Sequence, residues 1–402
     1  MRRWGGLLPV LGYALLAGVL FEPAWGWERF PYGSEMAQRD PISTKTRRTD
    51  VKVLVWLDSV GYGQGALGWY AVRALEALGH QVRALDYGEY ARPVPRTLLE
   101  KVLRRLRGAL GPHPRDLQMN RDLIQMVQEW QPHLLLVTKG NPILPRTLQR
   151  LREATRTLLF NWMPDDPFHP RYTHPAVRAS IPLYDAWLLP HRAREGPVRR
   201  AGARQTFHLP FACDPAVHRR MPLTSEEQAQ LGSQVCFVGT GYPERAALLD
   251  RLAHWNLAVW GERWDPHWTS PRLRQHIRGG GIYLEAMARA YSAAEIVLNI
   301  PQAQDRHGCN MRTFEALGCG AFLLDERKPE GLEMFEEGVD WACYEGPDEA
   351  VAQVERYLAR PEERQRIAKH GQASCYAGHT YRHRMEQAVE LAGALLTARG
   401  RG

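Results

Sequence analysis

The sequence predicts an α/β protein built from two doubly wound parallel sheets that face a cleft. Short apolar runs bounded by turn residues alternate with helix formers, which is the pattern of parallel strands joined by crossover helices. The pattern occurs twice in 402 residues, a length that suits two domains of roughly 150 to 200 residues better than a single core. A stretch with two prolines, residues 208–215, separates the two sets and is the expected linker.

The first set predicts a Rossmann-like domain over residues 50–210. A buried strand at residues 51–57 precedes a glycine-rich loop and a helix at residues 69–78. Later strands are expected at four apolar runs, residues 80–85, 134–137, 158–162 and 186–189. Residues 104–122 are basic and contain proline, which favours a loop or a helix with one face in water.

The second set predicts another Rossmann-like domain over residues 211–380. Its strands are expected at four apolar runs, residues 234–238, 257–260, 295–300 and 321–324. Its helices are expected between and after these strands, at residues 243–254, 283–290, 313–317, 348–358 and 361–371. A final helix at residues 381–398, within a C-terminal segment 381–402, could cross back and brace the first domain.

Composition argues against two function classes. Only six of the 52 basic residues behind the net charge of +8 are Lys, and Arg is spread over the whole chain. A nucleic-acid groove needs basic residues clustered among aromatic ones, so we expect no nucleic-acid partner. The six Cys residues lack paired spacing and form no Cys/His cluster in the sequence, which favours buried thiols over structural zinc.

Residues 1–49 are set apart from the predicted domains. Two Arg residues, an uncharged run at residues 5–21 and a small-residue stretch at residues 24–26 follow the order of a secretory signal. The run is short for a membrane span, which needs about 20 residues. A signal or anchor, a segment lying on the membrane and an upstream start outside the folded protein all stay open. The expected location is the cytoplasm, with residues 5–21 as the candidate membrane contact.

The candidate site with the most chemistry lies between residues 295 and 325, where the pattern predicts a strand, a loop, a helix and another strand. The loop carries four candidate donor-binding residues, His307, Gly308, Asn310 and Arg312. We expect Glu315 in the first turn of the helix. Ligands of open α/β sheets bind where helix N-termini present N–H groups to phosphate and a nearby acid accepts from ribose hydroxyls. The segment therefore predicts a nucleotide-sugar site, although a solvated glutamate stabilised by the helix dipole would also explain Glu315.

A second phosphate-binding loop is predicted after the strand at residues 234–238. Gly239 and Gly241 precede a helix that Pro243 opens, and Arg245 lies in its first turn. A plain helix start would explain the same pattern.

The strongest competing motif is G-x-G-x-x-G at residues 63–68, with Asp86 about 20 residues further on, as in an NAD-binding fingerprint. A dinucleotide turn starts directly at the strand end, whereas residues 58–62 intervene here. Gly63 and Gly65 could instead let the backbone approach a donor phosphate or an acceptor, or serve a turn alone. An NAD(P)-dependent oxidoreductase using residues 63–68 and Asp86 stays an alternative.

Two carboxylates and an imidazole, Asp165, Asp166 and His169, follow the strand predicted at residues 158–162. Such loops often carry site residues, although Asp and Pro also make ordinary turns. The Asp-x-Asp pattern that chelates a metal–diphosphate in another class of sugar transferases is absent from the sequence. We therefore expect no cofactor and no metal, with charge neutralised by helix dipoles and by Arg and Lys side chains, including Lys139.

Several segments together resemble one family. In the second half they are CFVGTGYPER, NMRTFEALGCGAFLLD, RYLARPEERQRIAKHG and HTYRHR, at residues 236–245, 310–325, 356–371 and 379–384. In the first half they are LLLVTKG at residues 134–140 and the segment around Asp165 and Asp166. The linker LPFACDPAVH, at residues 209–218, belongs to the same set. The chain resembles the CgeB-type spore-maturation proteins, a branch of the GT-B glycosyltransferases related to the family 4 group.

The resemblance implies a GT-B fold, a nucleotide-diphosphate sugar held mainly by the second domain, and a glycan, lipid or protein acceptor held by the first. It implies that Glu315 binds the donor ribose. Related family 4 enzymes carry a second Glu eight residues earlier, where this chain has His307. The sugar-binding half of the pattern therefore differs, and a non-catalytic nucleotide-sugar-binding protein stays an alternative.

The combined hypothesis is a metal-independent glycosyltransferase of a cell-envelope or spore glycan. Arg245 and Arg312, with helix N-termini and Lys139, would stabilise the charge on the leaving diphosphate. If the anomeric configuration is retained, the departing phosphate can take the acceptor proton. If it is inverted, the candidate bases are Asp165, Asp166 and His169.

Overall fold

The computed structural model describes residues 50–59, 63–90, 97, 99, 112–170, 173–302 and 307–400. The signal, anchor and membrane-contact predictions for residues 1–49 fall outside these described residues. Residues 49–402 form one compact unit. Within it, two six-stranded sheets with only parallel neighbours are flanked by helices. The predicted α/β class with two doubly wound sheets is confirmed.

The first sheet contains six strands: β1 (Lys52–Leu57), β2 (Gln81–Asp86), β3 (Leu134–Thr138), β4 (Leu158–Trp162), β5 (Ala186–Leu189) and β6 (Thr206–His208). They lie in the order β2-β1-β3-β4-β5-β6. Every residue of β3, β4 and β5 is buried. Helices cover both faces of such a sheet, which explains why its central strands are uninterrupted apolar runs in the sequence.

Five helices of the described residues accompany this sheet: α1 (Leu67–Ala77), α2 (Pro114–Trp130), α3 (Pro145–Ala154), α4 (Pro175–Ala179) and α5 (Glu195–Arg200). Of the two interpretations of residues 104–122, the helix with one face in water is the correct one from residue 114 onward, where α2 begins. The Nδ1 atom of His113 accepts from the backbone N–H of Arg115 and caps the helix, and proline is favoured at the first helical position.

The second sheet contains β7 (Ser233–Val238), β8 (Leu257–Trp260), β9 (Ile277–Gly279), β10 (Ala294–Leu298), β11 (Leu323–Glu326) and β12 (Ala342–Tyr344). They lie in the order β12-β11-β10-β7-β8-β9. Three strands that the sequence did not predict, β6, β9 and β12, have only three residues each. An alternation or an apolar run cannot be recognised over so few positions.

The second half contains α6 (Ser225–Leu231), α7 (Pro243–Arg251), α8 (Pro271–Arg274), α9 (Leu284–Ala293), α10 (Met311–Gly318), α11 (Pro329–Leu332), α12 (Gly346–Leu358), α13 (Pro361–Gly378) and α14 (Tyr381–Gly400). The last helix, α14, packs against α1 of the first half. Near its end, a guanidinium nitrogen of Arg399 lies 2.5 Å from a carboxylate oxygen of Asp185, just before β5. The domain boundaries at residues 210 and 380 stay predictions.

Among the described residues, none of the helices combines the length and the apolar character that a membrane crossing requires.

Gly68 is expected to be required where α1 packs on β1. A Cβ atom at Gly68 would overlap the side chain of Leu57 and lie 3.2 Å from its Cα atom. Gly68→Ala should therefore destabilise the fold by about 1–3 kcal/mol, the usual cost of overpacking. Gly393→Ala on α14, where a Cβ atom meets nothing within 4 Å, is the matched control and should stabilise by up to about 1 kcal/mol through helix propensity. Denaturant unfolding measures both, and equal effects would contradict the packing argument.

Candidate active site

A cleft with a cavity volume of about 300 Å³ lies where loops of both sheets meet. The first half lines it with Asp58, Gly65, Ala66, Leu67, Thr138, Lys139, Pro164, Asp165 and, from the linker, Phe211. The second half lines it with Val238, Gly239, Thr240, Arg245, Gly261, Glu262, Gly281, Tyr283, Gln302, Asn310, Met311, Arg312 and Glu315. Most of these residues follow the carboxyl end of a strand, which is where open α/β sheets bind ligands.

The start of α10 is fixed by a side-chain cap. The Oδ1 atom of Asn310 accepts from the backbone N–H of Thr313 at 3.3 Å. The helix therefore begins at Met311, and Glu315 lies in its second turn. The prediction that Glu315 lies in the first turn was wrong, because the helix begins at Met311, two positions before the predicted start at Thr313. The N–H groups of the first turn point to the end of the helix at which the cleft residues Asn310, Met311 and Arg312 lie.

A buried polar network connects the start of α10 to the neighbouring strand, β11. The Oδ2 atom of Asp325 accepts from the Thr313 hydroxyl at 2.6 Å and from the Asn299 amide at 2.9 Å. Its Oδ1 atom lies 3.1 Å from the ammonium of Lys328, and neither side chain of this pair is exposed. The Asn299 amide also donates to Asn310 at 3.1 Å. The network thus ties the loop after β10 to the end of β11.

Arg312 and Glu315 form an ion pair that faces the cleft. The Nη1 atom of Arg312 lies 2.8 Å from the Oε2 atom of Glu315 and also contacts the sulfur of Met287. The guanidinium carbon lies 5.7 Å from the ring centre of Tyr283, a cation–π distance. Burial works to lower the pKa of Arg312, but the charge of Glu315 raises it above its ordinary value. The guanidinium therefore stays charged beside the carboxylate.

Arg245 brings a second guanidinium to the same cleft from α7. Its Nε atom donates to the carbonyl of Ile300 at 2.8 Å, and its Nη1 atom donates to the carbonyl of Thr240 at 2.9 Å. The rings of Phe237 and Tyr242 lie 5.4 and 5.2 Å from the guanidinium carbon. Arg245 is thus held rigidly while it lines the cleft, so it needs little reordering to bind an anion there.

Gly239 and Gly241 allow the loop after β7 to pack closely against the loop after β8. Their N–H groups donate to the carbonyls of Trp260 and Glu262, at 2.9 and 2.8 Å, so these two groups are engaged within the protein. A Cβ atom at Gly241 would lie 2.6 Å from the carbonyl oxygen of Arg263. Only Gly239 of the two lines the cleft. The loop therefore serves the site by its shape and by Arg245.

The two other predicted donor-binding residues of this loop, His307 and Gly308, lie in different surroundings. His307 is exposed and is not among the residues that line the cleft. Gly308 is buried against the first half, where a Cβ atom would overlap the ring of His191 and lie 2.7 Å from the Oε2 atom of Glu330. Glycine is thus required where this loop meets the end of β5.

The first half places one of its three predicted acid–base residues in the cleft. The carboxylate of Asp165 lies 2.8 Å from the ammonium of Lys139, and both residues line the cleft. Asp166 accepts from the backbone N–H of Phe168 at 2.9 Å and from that of His169 at 3.2 Å. Asp166 and His169 lie outside the cleft lining, so the ordinary-turn interpretation holds for them.

The described part of the glycine-rich stretch and Asp86 do not favour a dinucleotide site. Gly63–Gly65 is a single 3₁₀ turn, in which Gly63 has a φ of +51° and Gly65 lines the cleft. Asp86 accepts from the backbone N–H groups of Ser59 and Gly88, at 3.1 and 2.8 Å. It thereby holds the loop after β1, away from the cleft lining. The NAD(P) alternative is not favoured.

The described residues contain no group of three or more His, Cys, Asp or Glu side chains that could hold a metal ion. All six Cys residues are buried and outside disulfides, as expected.

Sequence reasoning missed four polar cleft residues of the second half, Thr240, Glu262, Tyr283 and Gln302. The Oε1 atom of Glu262 accepts from the N–H of Gly281 at 3.2 Å. Tyr283 directly precedes α9. Three consecutive glycines at residues 279–281, two positions before Tyr283, were the signal available in the sequence for Glu262 and Tyr283.

Comparison with known proteins agrees with this geometry. Residues 245–390 match the model of a family described as glycosyl transferase-like, and this range includes Arg245, Arg312 and Glu315. No curated protein matches the chain.

Solved structures show the fold. Sucrose-phosphate synthase from Thermosynechococcus elongatus is similar with a TM-score of 0.58 and 15% identity, covering 87% of this chain and 100% of that one. Anabaena Alr3699/HepE in complex with UDP and glucose gives a TM-score of 0.59 and 15% identity, over 85% and 99%. A glycosyltransferase from Rickettsia africae gives 0.60 and 10%, over 87% and 99%. The chain therefore has the GT-B fold, and the domain match confirms the predicted enzyme class, a glycosyltransferase.

The buried ion pair below α10 is expected to govern stability. Lys328→Met leaves the Asp325 carboxylate uncompensated and should cost about 3–5 kcal/mol. The double variant Lys328→Met/Asp325→Asn should recover part of this loss. Lys369→Met, at an exposed position on α13, is the control and should change stability by less than about 0.5 kcal/mol. Denaturant unfolding compares the three, and equal effects of the two Lys variants would refute the supporting role.

Proposed function

We propose that this protein is a glycosyltransferase that holds a nucleotide-diphosphate sugar against the start of α10 and transfers the sugar to an acceptor bound by the first half. The observation that carries the proposal is the convergence of Arg245, Arg312 and Glu315 on one cleft beside a helix N-terminus. Two cations and a helix N-terminus suit a diphosphate, and a carboxylate suits a ribose.

Glu315 is assigned to the nucleoside. One of its carboxylate oxygens is engaged by Arg312 at 2.8 Å, and the carboxylate can accept further hydrogen bonds from ribose hydroxyls. The match of residues 245–390 to a glycosyl transferase-like family supports this assignment, as does the presence of UDP in a structure of the same fold. UDP-, GDP- and dTDP-sugars are the candidate donors.

Arg312, Arg245 and the N–H groups at the start of α10 are assigned to the leaving diphosphate. In the transfer, the bond between the anomeric carbon and the diphosphate oxygen breaks, and a bond to the acceptor oxygen forms. Negative charge grows on the diphosphate during this step, so fixed cations next to it lower the barrier. Charge neutralisation by the protein itself is the basis for proposing that no metal ion is needed.

The first half is assigned to the acceptor. The first half lines the cleft with charged and hydroxyl side chains, which suits an acceptor that presents a hydroxyl among other polar groups; they are Asp58, Thr138, Lys139 and Asp165. If the configuration is retained, the departing phosphate takes the acceptor proton. If it is inverted, Asp165 is the base that remains, because it is the member of the predicted trio that lines the cleft.

We also propose that the protein is related to the CgeB-type group. Its acceptor would be a glycan, lipid or protein of the cell envelope or spore. Both proposals rest on the sequence segments that resemble that group. A cytoplasmic location, with residues 5–21 as a membrane contact, is proposed on the same footing. Product analysis separates a transferase from a non-catalytic sugar-nucleotide-binding protein.

Thermal unfolding in the presence of ligands tests donor binding. UDP, GDP or dTDP at about 100 times its dissociation constant should stabilise the protein by about 2.7 kcal/mol. NAD⁺ and NADH at equal concentrations should give no stabilisation, because Asp86 is engaged with the loop after β1. Stabilisation by NAD⁺ alone would replace the proposal with the oxidoreductase alternative.

The rate at which nucleoside diphosphate is released from the preferred sugar nucleotide tests the role of the two Arg side chains. Arg245→Met and Arg312→Met should each slow release by about 10²–10³-fold, the usual effect of removing one group that stabilises transition-state charge. EDTA should leave the wild-type rate unchanged.

Arg251→Met on α7 is the matched control for this assay. Arg251 forms a surface pair with Asp348, whose side chain is 93% exposed, and its removal should leave the rate unaltered. Full activity of both cleft variants would contradict the proposal that these two Arg side chains stabilise the leaving diphosphate. Loss of activity in EDTA that Mg²⁺ or Mn²⁺ restores would remove metal independence.

A further inference from the structure

The carboxylate of Glu315 is shared between the cleft and a buried network behind it. Glu315 is only 3% exposed, and its Oε1 atom lies 3.9 Å from the Nε2 atom of His218. His218 lies in the segment between β6 and α6 and is fully buried. The same Nε2 atom lies 3.2 Å from the hydroxyl of Tyr70 on α1. Residues 148 positions apart in sequence thus meet behind the candidate donor site.

The hydrogen bonds fix the tautomer of His218. The backbone N–H of Asp214 donates to the Nδ1 atom of His218 at 2.9 Å, so this nitrogen carries the lone pair. Burial lowers the pKa of His218, although the charge of Glu315 opposes the shift. A neutral imidazole has one N–H group, and here that group is Nε2–H. It is therefore directed at the Tyr70 hydroxyl at 3.2 Å, whereas the Oε1 atom of Glu315, at 3.9 Å, is in contact with the imidazole but beyond hydrogen-bond distance.

The Tyr70 ring is held by Tyr381 and Arg73. The ring stacks on Tyr381 of α14, with centres 4.6 Å apart and planes inclined by 4°. The guanidinium carbon of Arg73 lies 5.0 Å from the ring centre, and Arg73 is anchored to Asp214 by a contact of 2.6 Å. Tyr70 is 1% exposed and does not line the cleft. It can act on a ligand only through His218 and Glu315.

We propose that Tyr70 and His218 are positioning residues that orient the Glu315 carboxylate toward the ribose hydroxyls of the donor. A carboxylate held by Arg312 alone can turn about its last torsion, which has broad preferences. The imidazole of His218, fixed at Nδ1 by Asp214 and at Nε2 by Tyr70, packs 3.9 Å from the Oε1 atom of that carboxylate. The fixed ring restricts the rotation before the ligand arrives, which lowers the entropic cost of binding. A helix of the first half thereby helps to set nucleoside affinity in the second half. The inference rests on the proposed function, specifically on Glu315 as the ribose ligand.

Calorimetric binding of UDP and of 2′,3′-dideoxy-UDP, with GDP and its dideoxy analogue in parallel, tests this inference in the full chain. Wild-type protein should bind UDP or GDP at least about tenfold more tightly than the matching analogue. Tyr70→Phe keeps the stacked ring and removes only the hydroxyl. It should weaken binding of the ribose-containing diphosphate by about tenfold and leave binding of the analogue unchanged.

Two further variants separate positioning from general stability. His218→Gln keeps an N–H donor at the Nε2 position and should retain more affinity than His218→Leu. Tyr376→Phe is the matched control, because the Tyr376 hydroxyl donates to the carbonyls of His218 and Gly318, at 2.8 and 3.0 Å. It removes a hydroxyl from the same linker contact and should leave the preference for ribose intact.

The outcomes are distinct. Equal losses of the diphosphate and of its analogue in Tyr70→Phe, or an equal loss of ribose preference in Tyr376→Phe, would make the network merely structural. An unchanged preference in Tyr70→Phe and His218→Leu would overturn the inference while the proposed function stands. Failure of wild-type protein to bind UDP, GDP or dTDP at all would overturn the proposed function and this inference with it.

Discussion

The structure of the candidate site depends on a fully buried carboxylate, Asp325, at the end of β11. Its charge is compensated by Lys328 at 3.1 Å and by hydrogen bonds from Thr313 and Asn299. Burying such a charge is costly unless every partner is in place, so the loop after β10 and the start of α10 must keep one arrangement. That arrangement places Arg312 and Glu315 at the cleft. The geometry of the site is thus fixed by a polar interaction between residues that lie outside the cleft lining.

The cleft divides its chemistry between the two halves of the chain. The second half supplies cations and a helix N-terminus, which suit an anionic leaving group. The first half supplies a Lys139–Asp165 pair at 2.8 Å, which suits a polar, hydroxyl-bearing partner. The buried contact of Tyr70 with His218 links the halves directly behind Glu315. Donor affinity and the packing of α1 are therefore expected to depend on each other.

The central strands and most of the site could be predicted from the sequence because both follow from local pattern. Apolar runs gave β3, β4 and β5, and the rule that ligands bind at strand ends correctly placed Arg245, Arg312 and Glu315 in one cleft. Where several local explanations compete, the pattern was insufficient. Asp166 follows a strand just as Asp165 does, yet its carboxylate serves a turn.

Other features depend on contacts that no local pattern encodes. The helix α10 begins at Met311, earlier than the sequence predicted, because Asn310 caps it. The meeting of Tyr70 with His218 joins positions 148 residues apart, and nothing in the motif around either residue marks it. The engagement of the Gly239 and Gly241 N–H groups by the carbonyls of Trp260 and Glu262 likewise follows only from how two loops pack.

A crystal structure of the protein with bound UDP or GDP tests the central claim most directly. The account predicts the diphosphate within hydrogen-bond distance, about 3 Å, of Arg312 or Arg245 and of the N–H groups at the start of α10, with the ribose on Glu315. A nucleotide bound instead over Gly63–Gly65, with its ribose toward Asp86 and with Glu315 and Arg312 untouched, would contradict it.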